Sequence, residues 1–333
     1  MLKLSFIVPF YGVEKYIGQC LDSLCEQDID NSEYEIICIN DCSLDKSVDI
    51  VRQYQTQYSN IRLIEHKKNK KLGFARNTGL NVARGKYVWF IDSDDYIEKN
   101  CLKEILEICE ANNLEILHFS IRDNYGLSMR QLIETQVVTG PEEELISYRQ
   151  SSIEITYPWN RIYLREFLIN NNLYFNKLYG GDVIHSILAV NLCQRMMNIN
   201  KYYHYYRVDN FSSDTKSQQT PNKIYNMTYV LAKAIYDIVP YINNSWKWLI
   251  IEAYKWRVNF SWRTILKLSN VELNELYCLV KQSNDLYNFV LMHSNAINKI
   301  ILKCPYFTKY ILRPLYKLLY GLKMIKWFRM NKL

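Results

Sequence analysis

The chain has 333 residues, of which 49% are hydrophobic and 23% are charged, and its formal net charge at pH 7 is +7. This composition excludes a disordered tail, a collagen and a disulfide miniprotein, and the length allows a large buried core. We expect no membrane-spanning helix, which needs roughly 18 uninterrupted apolar residues, and no secretory signal. The nine cysteines include no CxxC pair and are typical of reduced thiols in the cytosol.

The first third of the chain alternates predicted strands with predicted helices. The strands are the apolar runs LSFIVPF, YEIICIN, IRLIEH, YVWFI and EILHFS, and helices are predicted over 14–27, from Ser43 or Asp45, over 74–83 and over 99–111. Apolar strands separated by helices indicate an α/β fold with a mainly parallel sheet and helices on both faces. Ligands of such sheets bind beyond the carboxyl ends of the strands, so the residues there are the first candidates for a site.

The rest of the chain changes from a mixed to a helical pattern. A helix is predicted after Gly140 and Pro141, followed by a mixed region of strands and helices. Strand patterns stop beyond about Ser217, and helices are predicted over 222–238, over 245–268 and after Val271. We therefore predict one domain over residues 1–215 and a helical C-terminal region over residues 216–333.

Acidic and aromatic residues follow three of the predicted strands. The sequence DSDD at residues 92–95 follows YVWFI, Asp41 follows the second strand, and Pro9 and Tyr11 lie at the end of the first. Three carboxylates within four residues repel one another unless a positive group lies among them, and Mg²⁺ or Mn²⁺ prefers such oxygen ligands. A solvated acidic turn that caps the next helix is the alternative, and DSDD alone leaves the two about even.

Four motifs in the expected order decide between these interpretations. They lie in the segments SFIVPFYGVEKYIGQCLDSL, INDCSLDKS and LGFARNTGLNVARGKYVWFIDSDDYI. Together they resemble the nucleotide-sugar-binding half of family 2 glycosyltransferases of the GT-A fold, over about residues 1–120. The segments PWNRIYLREFLINNNLYF, GGDVIHSILAV and YYHYYRVDNFSS look like the acceptor half of the bacterial polysaccharide branch, over residues 121–215.

The resemblance implies a role for each matching residue on the nucleotide side. Tyr11 would pack against a uracil ring, with Pro9 shaping the turn, and Asp41 would accept a hydrogen bond from the uracil imide. Arg76 would lie near the nucleotide or its phosphates, and Asn77 would help to order that loop.

The resemblance also implies roles for the acidic residues. Asp92 would bind the ribose side, and Asp94 would ligate the Mn²⁺ or Mg²⁺ that bridges the two phosphates. Ser93 belongs to the same nucleotide-sugar site, and Asp95 would orient the donor sugar or the loop. A divalent cation there would neutralise the charge that builds on the leaving diphosphate.

Inversion at the anomeric carbon needs a base on the face of the sugar opposite the leaving diphosphate. Members of the family supply it from a Glu-Asp pair that precedes a helix, and the corresponding residues here are Gly180, Gly181 and Asp182. Asp182 is therefore predicted as the catalytic base, and the alternative is an ordinary N-cap of the helix VIHSILAV. The missing Glu also leaves open a catalytically impaired protein that binds nucleotide-sugar.

The second half and the first loop contain further candidates. His204 could ligate a metal or line the acceptor site, and the alternative is a half-buried strand histidine. Arg207 could approach the diphosphate, and Glu14 is a further candidate at the donor site. Trp159 and Arg161 could meet the acceptor, although a packed Trp beside a surface Arg is as plausible.

The basic residues are concentrated at the C-terminus. From residue 298 onward there are nine Lys or Arg and no acidic residue, and the rest of the chain is close to neutral. We predict that this tail, residues 298–333, docks on an anionic membrane surface, and the alternative is packing on the preceding helices. The lysine-rich run at residues 66–71 could attract phosphates, and the favoured alternative is a solvated loop. Nucleic-acid binding is disfavoured because the body offers no basic groove.

The resemblance therefore implies an inverting, metal-dependent glycosyltransferase of bacterial polysaccharide synthesis. It would move a hexose or N-acetylhexosamine from a UDP-sugar to an oligosaccharide acceptor linked to polyprenyl diphosphate. The products would be capsular polysaccharide, exopolysaccharide or O-antigen. The expected location is the cytoplasm, at the inner face of the cell membrane.

Overall fold

The computed structural model describes residues 2–130, 157–175, 181–210, 220–241 and 268–294, with the isolated residues 132, 137, 247, 265, 303 and 308. The chain divides into two compact units. The first comprises Met1–Lys177 and Gly181–Asp214, and the second comprises Leu178–Gly180 and Thr215–Leu333.

The first part of the first unit alternates strands and helices as predicted. The elements are β1 (Leu4–Phe10), α1 (Ile17–Cys25), β2 (Tyr34–Asn40), α2 (Ser47–Gln57), β3 (Ile61–Glu65), α3 (Leu72–Val82) and β4 (Tyr87–Phe90). β1 and β2 are buried along their whole length, as continuous apolar strands of a parallel sheet should be. The first helix begins three residues later than predicted, because residues 11–16 form a loop.

The second part of this unit is less regular. Its elements are β5 (Tyr96–Ile97), α4 (Leu102–Ala111), β6 (Ile116–Asp123), β7 (Ser128–Arg130), β8 (Arg161–Leu164), α5 (Arg165–Asn170), α6 (Gly181–Leu192) and β9 (Met196–Tyr206). The helix predicted after Pro141 lies outside the described residues.

The described strands form one sheet in the order β3-β2-β1-β4-β8-β6-β9-β5, and β7 pairs with β6. β1, β2, β3 and β4 are parallel to one another, so their carboxyl ends meet at one edge. β8 is antiparallel to both β4 and β6, and β9 is parallel to β6 but antiparallel to β5. The sheet is therefore parallel in its first half and mixed in its second.

A close contact between α3 and the sheet holds this helix in place. Gly79 packs on the sheet so tightly that a Cβ atom there would lie 2.4 Å from Ile7 Cγ2 and 2.9 Å from Ile39 Cδ1. On the other face, the Trp89 ring lies 5.6 Å from Phe6 and 5.1 Å from Phe119, between centroids. These contacts fix α3 and β4, the two elements that lead into the site.

The second unit is helical over its described residues. It contains α7 (Pro221–Ile224), a π-helical turn (Tyr225–Val230), α8 (Leu231–Ile238), a 3₁₀ turn (Val239–Tyr241), α9 (Asn270–Lys281) and α10 (Asn284–His293). α9 starts with a capping box in which Ser269 and Glu272 satisfy each other's backbone N–H groups. Most of the helix predicted over 245–268 and almost all of the tail at 298–333 lie outside the described residues. None of the helices described is long and apolar enough to cross a membrane.

Candidate functional site

The ends of β1, β2 and β4 lie side by side and hold the predicted site residues. The Asp41 amide donates to the Phe10 carbonyl at 2.9 Å, and the Ile91 amide donates to the Ile7 carbonyl at 2.9 Å. Tyr11, Asp41 and the acidic turn at residues 92–95 therefore emerge at one edge of the sheet, as the parallel order predicts.

Tyr11 presents an open ring at this edge. Its side chain is 52% exposed, whereas Pro9 is buried inside β1. Gly12 follows with a φ of +66°, a backbone conformation that favours glycine, and its amide donates to Ser43 Oγ at 3.2 Å. The loop after β1 is thus held against the loop after β2, which leaves the Tyr11 ring free to receive a flat ligand.

Glu14 reinforces the same pair of loops. Its amide donates to Asp45 Oδ2 at 2.9 Å, and its own carboxylate accepts from the Lys46 amide at 3.0 Å. These two hydrogen bonds of Glu14 therefore link the loop after β1, which contains Tyr11, to the residues that lead into α2.

Asp41 is 4% exposed and organises the loop that follows β3. Its carboxylate pairs with His66 Nδ1 at 2.8 Å and accepts the amides of Lys70 and Lys71, each at 2.8 Å. A carboxylate offers about four lone-pair positions, and these contacts use three of them, so one acceptor position is left unused by the described residues. His66 is buried and also contacts Thr78 Oγ1 at 2.9 Å, so its assignment to a solvated loop is wrong.

The acidic turn closes on itself and is paired with α3. The Asp95 amide donates to the Asp92 carbonyl at 2.9 Å, and Arg76 Nη2 donates to Asp92 Oδ1 at 2.5 Å. Ser93 and Asp95 are buried, and β5 lies between the turn and α4. The alternative of a solvated turn that caps the next helix is therefore wrong.

Arg76 is a buried cation at the centre of this edge. Its side chain is 2% exposed, and its guanidinium lies 5.1 Å from the centroid of the Phe175 ring. Its Nε has no hydrogen-bond partner among the described residues. A buried guanidinium with one unsatisfied N–H fits the predicted position beside a phosphate or nucleotide.

Asn77 fixes the chain segment that precedes α6. Its Nδ2 donates to the Phe175 carbonyl at 2.7 Å, and its Oδ1 accepts the Phe175 amide at 2.8 Å. The Phe175 ring stacks on His185 with a centroid distance of 4.0 Å. Asn77 thus orders a segment of the second half, in addition to its place in α3.

Asp182 lies in the first turn of α6, which begins at Gly181. The alternative that it is the N-cap of this helix is therefore wrong. Burial raises the pKa of its carboxyl above the usual value, the nearby Arg76 guanidinium opposes that shift, and the Asp92 carboxylate adds to it. Asp182 therefore lies close enough to Arg76 and Asp92 for their charges to act on its carboxyl.

Asp95 and His204 form a buried pair. His204 Nε2 contacts Asp95 Oδ2 at 2.9 Å, and both side chains are almost completely buried. The prediction of a half-buried strand histidine is therefore wrong about its burial. The Nδ1 atom of His204 has no hydrogen-bond partner among the described residues, so this contact does not test the predicted metal-binding role.

Arg207 is hydrogen-bonded to the backbone of the acidic turn. Its Nε donates to the Asp94 carbonyl at 2.7 Å, its Nη2 donates to Gln19, and its guanidinium lies 4.9 Å from the centroid of the Tyr16 ring. The prediction that Arg207 approaches a diphosphate is not tested by these contacts.

Trp159 and Arg161 are packed inside the unit. The Trp159 ring stacks on Tyr157 at 4.9 Å and on His204 at 4.5 Å, between centroids, and is 5% exposed. Arg161 is fully buried, so its placement at the surface is wrong. These contacts favour the packing alternative for Trp159.

The carboxylates of Asp92 and Asp94 fit a cation that is shared with a ligand. Both are partly exposed, and Mg²⁺ typically binds one or two protein carboxylates together with phosphate oxygens. Burial and the charges of Asp95 and Asp92 raise the pKa of Asp94 to about 6, a cost that a bound cation would relieve. Across the residues that the structure describes, no group of three or more His, Cys, Asp or Glu could hold a metal ion alone.

Sequence reasoning missed Asn210 and misjudged His66. Asn210 Nδ2 donates to Asp94 Oδ2 at 2.7 Å, a contact that depends on where β9 ends in the folded sheet. His66 follows β3 just as Asp41 follows β2, so the rule that ligands lie beyond strand ends could have identified it.

Comparisons with known proteins bear on the family and the fold of the chain. The family model described as Glycosyl transferase family 2 matches residues 5–170. The chain is 33% identical over 211 residues to the uncharacterized glycosyltransferase EpsJ of Bacillus subtilis, covering 61% of this chain and 60% of EpsJ. It is 34% identical over 176 residues to the poly(ribitol-phosphate) beta-N-acetylglucosaminyltransferase TarS of Staphylococcus aureus, covering 53% of this chain and 30% of TarS.

Solved structures show the same fold. The crystal structure of residues 1–349 of Staphylococcus aureus TarS with UDP-GlcNAc matches with a TM-score of 0.67 and 22% identity, and covers 93% of each chain. A mannosyltransferase from Pyrobaculum calidifontis, in complex with GDP-Man and Mn²⁺, matches with a TM-score of 0.56 and 14% identity, covering 96% of this chain and 86% of the other. The architecture is therefore that of the GT-A fold.

Proposed function

Because the chain belongs to glycosyltransferase family 2, we propose that it transfers a sugar from a nucleotide-sugar to a growing bacterial surface polysaccharide. The observation that carries this proposal is the shared edge of the sheet, where Asp41 and the acidic turn emerge together. Arg76 is hydrogen-bonded to Asp92 there, and the charges of Arg76 and Asp92 both act on Asp182. Such an edge would supply a group that recognises the nucleobase, a group beside the phosphates and a group that accepts a proton.

The donor is proposed to be a UDP-sugar that carries a hexose or N-acetylhexosamine. The open ring of Tyr11 offers a stacking surface, and the remaining acceptor position of Asp41 suits the N–H of a uracil imide. The relative TarS has been solved with UDP-GlcNAc, which supports the choice of uridine.

Asp94 is the residue that would hold Mn²⁺ or Mg²⁺, with Asp92 beside it on the ribose side of the donor. When bound, such a cation neutralises the negative charge of the diphosphate leaving group as a Lewis acid. Arg76 orients Asp92 through its 2.5 Å hydrogen bond and adds a positive charge beside the same groups. This buried guanidinium is pre-organised, so it needs no reorganisation as charge develops.

Asp182 is proposed to act as the base. The acceptor hydroxyl oxygen forms a bond to the anomeric carbon, the bond from that carbon to the diphosphate oxygen breaks, and the hydroxyl proton passes to the Asp182 carboxylate. Attack from the face opposite the diphosphate inverts the anomeric centre. The raised pKa of Asp182 makes its carboxylate a stronger base, which favours the proton transfer.

The acceptor is proposed to be an oligosaccharide linked to polyprenyl diphosphate. One relative is named a poly(ribitol-phosphate) beta-N-acetylglucosaminyltransferase, which supports a polymeric acceptor. The basic and aromatic composition of residues 298–333 supports docking at the anionic inner face of the membrane, where such lipid-linked acceptors are assembled.

Release of UDP tests this function. With a panel of UDP-sugars, Mn²⁺ and a lipid-linked saccharide extract, the wild-type chain should release UDP. Asp182→Asn should lower that rate by about 10²-fold to 10⁴-fold, because a general base is lost, and should still bind UDP. Asp49→Asn is the matched control, since Asp49 lies in the first turn of α2 and is exposed.

Two outcomes would contradict the proposal. If Asp182→Asn released UDP as fast as the wild-type chain, Asp182 would not be the base. If the wild-type chain bound UDP-sugar without turnover, it would be a catalytically impaired nucleotide-sugar-binding protein, which the Gly at position 181 already makes the leading alternative.

A further inference from the structure

The end of β9 and the residue that follows it form three hydrogen bonds with the acidic turn. His204 Nε2 contacts Asp95 Oδ2 at 2.9 Å, and the Arg207 amide donates to Asp95 Oδ1 at 2.8 Å. Arg207 Nε donates to the Asp94 carbonyl at 2.7 Å. These three contacts fix the backbone of the turn and the side chain of Asp95, and they leave the carboxylate of Asp94 untouched.

Asn210 supplies the contact to that carboxylate. Its Nδ2 donates to Asp94 Oδ2 at 2.7 Å, and its own side chain is 4% exposed. A buried amide that donates to a carboxylate restricts the geometry of both groups, because the amide has little water to bind instead. The hydrogen bond therefore fixes the rotation of the Asp94 carboxylate.

We propose that Asn210 is a positioning residue that orients Asp94 to bind a divalent cation through one oxygen. Because the amide donates to Oδ2, Oδ1 is the oxygen that would bind the cation. A neutral donor is suited to this task. It stabilises the Asp94 charge beside Asp92 and Asp95, and it has no positive charge that would compete with the metal ion for the carboxylate. The inference rests on the proposed function of Asp94.

Manganese binding tests this role independently of turnover. In the full-length chain with saturating UDP, Mn²⁺ affinity is measured by electron paramagnetic resonance for the wild type and for Asn210→Leu. The loss of one charge-assisted hydrogen bond should weaken Mn²⁺ binding about tenfold. Asn210→Gln keeps the amide donor and should retain more of the affinity than Asn210→Leu.

Asn124→Ala is the matched control for general damage to this segment. Asn124 Oδ1 accepts the Val208 amide at 2.9 Å, so this variant disturbs the chain two residues before Asn210 without touching the acidic turn. It should change Mn²⁺ affinity less than twofold, and UDP binding without metal should be unchanged in every variant.

The outcomes separate this inference from the function on which it rests. If the wild type binds Mn²⁺ and Asn210→Leu binds it equally well, the positioning role is contradicted while the metal site stands. If Asn124→Ala weakens Mn²⁺ binding as much as Asn210→Leu, the loss of affinity comes from general disturbance of the segment after β9, and the role of Asn210 is overturned. If the wild type binds no Mn²⁺ with UDP, the cation assignment of Asp94 fails and this inference fails with it.

Discussion

The carboxylate of Asp94 is held in an environment that opposes its charge. Burial is the largest cause of its raised pKa, followed by the neighbouring charges of Asp95 and Asp92, and the hydrogen bond from Asn210 offsets only part of this. An acid whose pKa is higher in the folded chain than in the unfolded chain binds its proton more tightly when folded. Its ionised form therefore destabilises the fold, which is a common cost of functional sites.

Asp94→Asn should for this reason stabilise the chain in the absence of metal and nucleotide. A rise in the Asp94 pKa from 3.8 to about 6 corresponds to a penalty of at most about 3 kcal/mol in the free energy of unfolding. The gain should be present at pH 7.5, should shrink as the pH falls through 6, and should vanish below about pH 4. Urea denaturation at these pH values measures it.

Asp49→Asn serves as the comparison, because Asp49 is exposed on α2 and its replacement should change stability little at any pH. An Asp94→Asn chain that is no more stable than the wild type at pH 7.5 would contradict the electrostatic description of the acidic turn.

Single residues differ in how well the sequence could predict them. Asp41 and the acidic turn follow apolar strands, so their position at the sheet edge follows from strand order alone. Asn210 could not be found in this way, because its contact with Asp94 joins residues 116 positions apart in the chain. Arg161 was misplaced because a charged side chain is normally exposed, whereas β8 lies between β4 and β6 inside the sheet and Arg161 is buried there.

At the scale of elements, the approach of α3 to the sheet decides where Arg76 and Asn77 lie. Gly79→Ala should destabilise the chain by about 1–3 kcal/mol, because the new methyl group would overlap Ile7 and Ile39, both of which are buried in strands. Chemical denaturation measures this change in the free energy of unfolding.

Gly18→Ala is the matched test in another helix. A Cβ atom at Gly18, in α1, would meet only Tyr54 Oη at 3.8 Å, which is an ordinary contact. Since alanine favours helix more than glycine, this variant should gain up to about 1 kcal/mol. Equal effects of the two substitutions would contradict the tight packing described for α3.

Elements of the first half were predicted well because each is locally encoded. The run YEIICIN matches β2 at both ends, because the apolar pattern ends at Asn40, which is the last residue of the strand. The second half contains shorter strands, such as the two residues of β5, and antiparallel pairings made by β8 and β9. Such pairings depend on contacts between distant segments, which local patterns do not encode.

At the scale of the whole molecule, the uneven charge predicts a membrane-docking tail. Deletion of residues 304–333 should abolish sedimentation with vesicles that contain anionic lipid, because each basic group near such a surface contributes about 1 kcal/mol. Binding of the full chain should weaken as salt is raised, and vesicles of neutral lipid serve as the control. Unchanged sedimentation of the shortened chain would refute the anchor.

The fold as a whole was predictable because several motifs occur in the order that a parallel sheet requires. Each motif alone is weak, but their common position after β1, β2 and β4 implied one edge, and the structure shows that edge. The chemistry at that edge is less determined by sequence, since the cation and the acceptor depend on ligand geometry rather than on strand order.

A crystal of the full chain grown with UDP and manganese tests the central claim most directly. We predict an anomalous manganese peak between the Asp94 carboxylate and the diphosphate, with the uracil ring against Tyr11 and its imide facing Asp41. Nucleotide bound elsewhere, or bound at this edge with no manganese beside Asp94, would contradict the account.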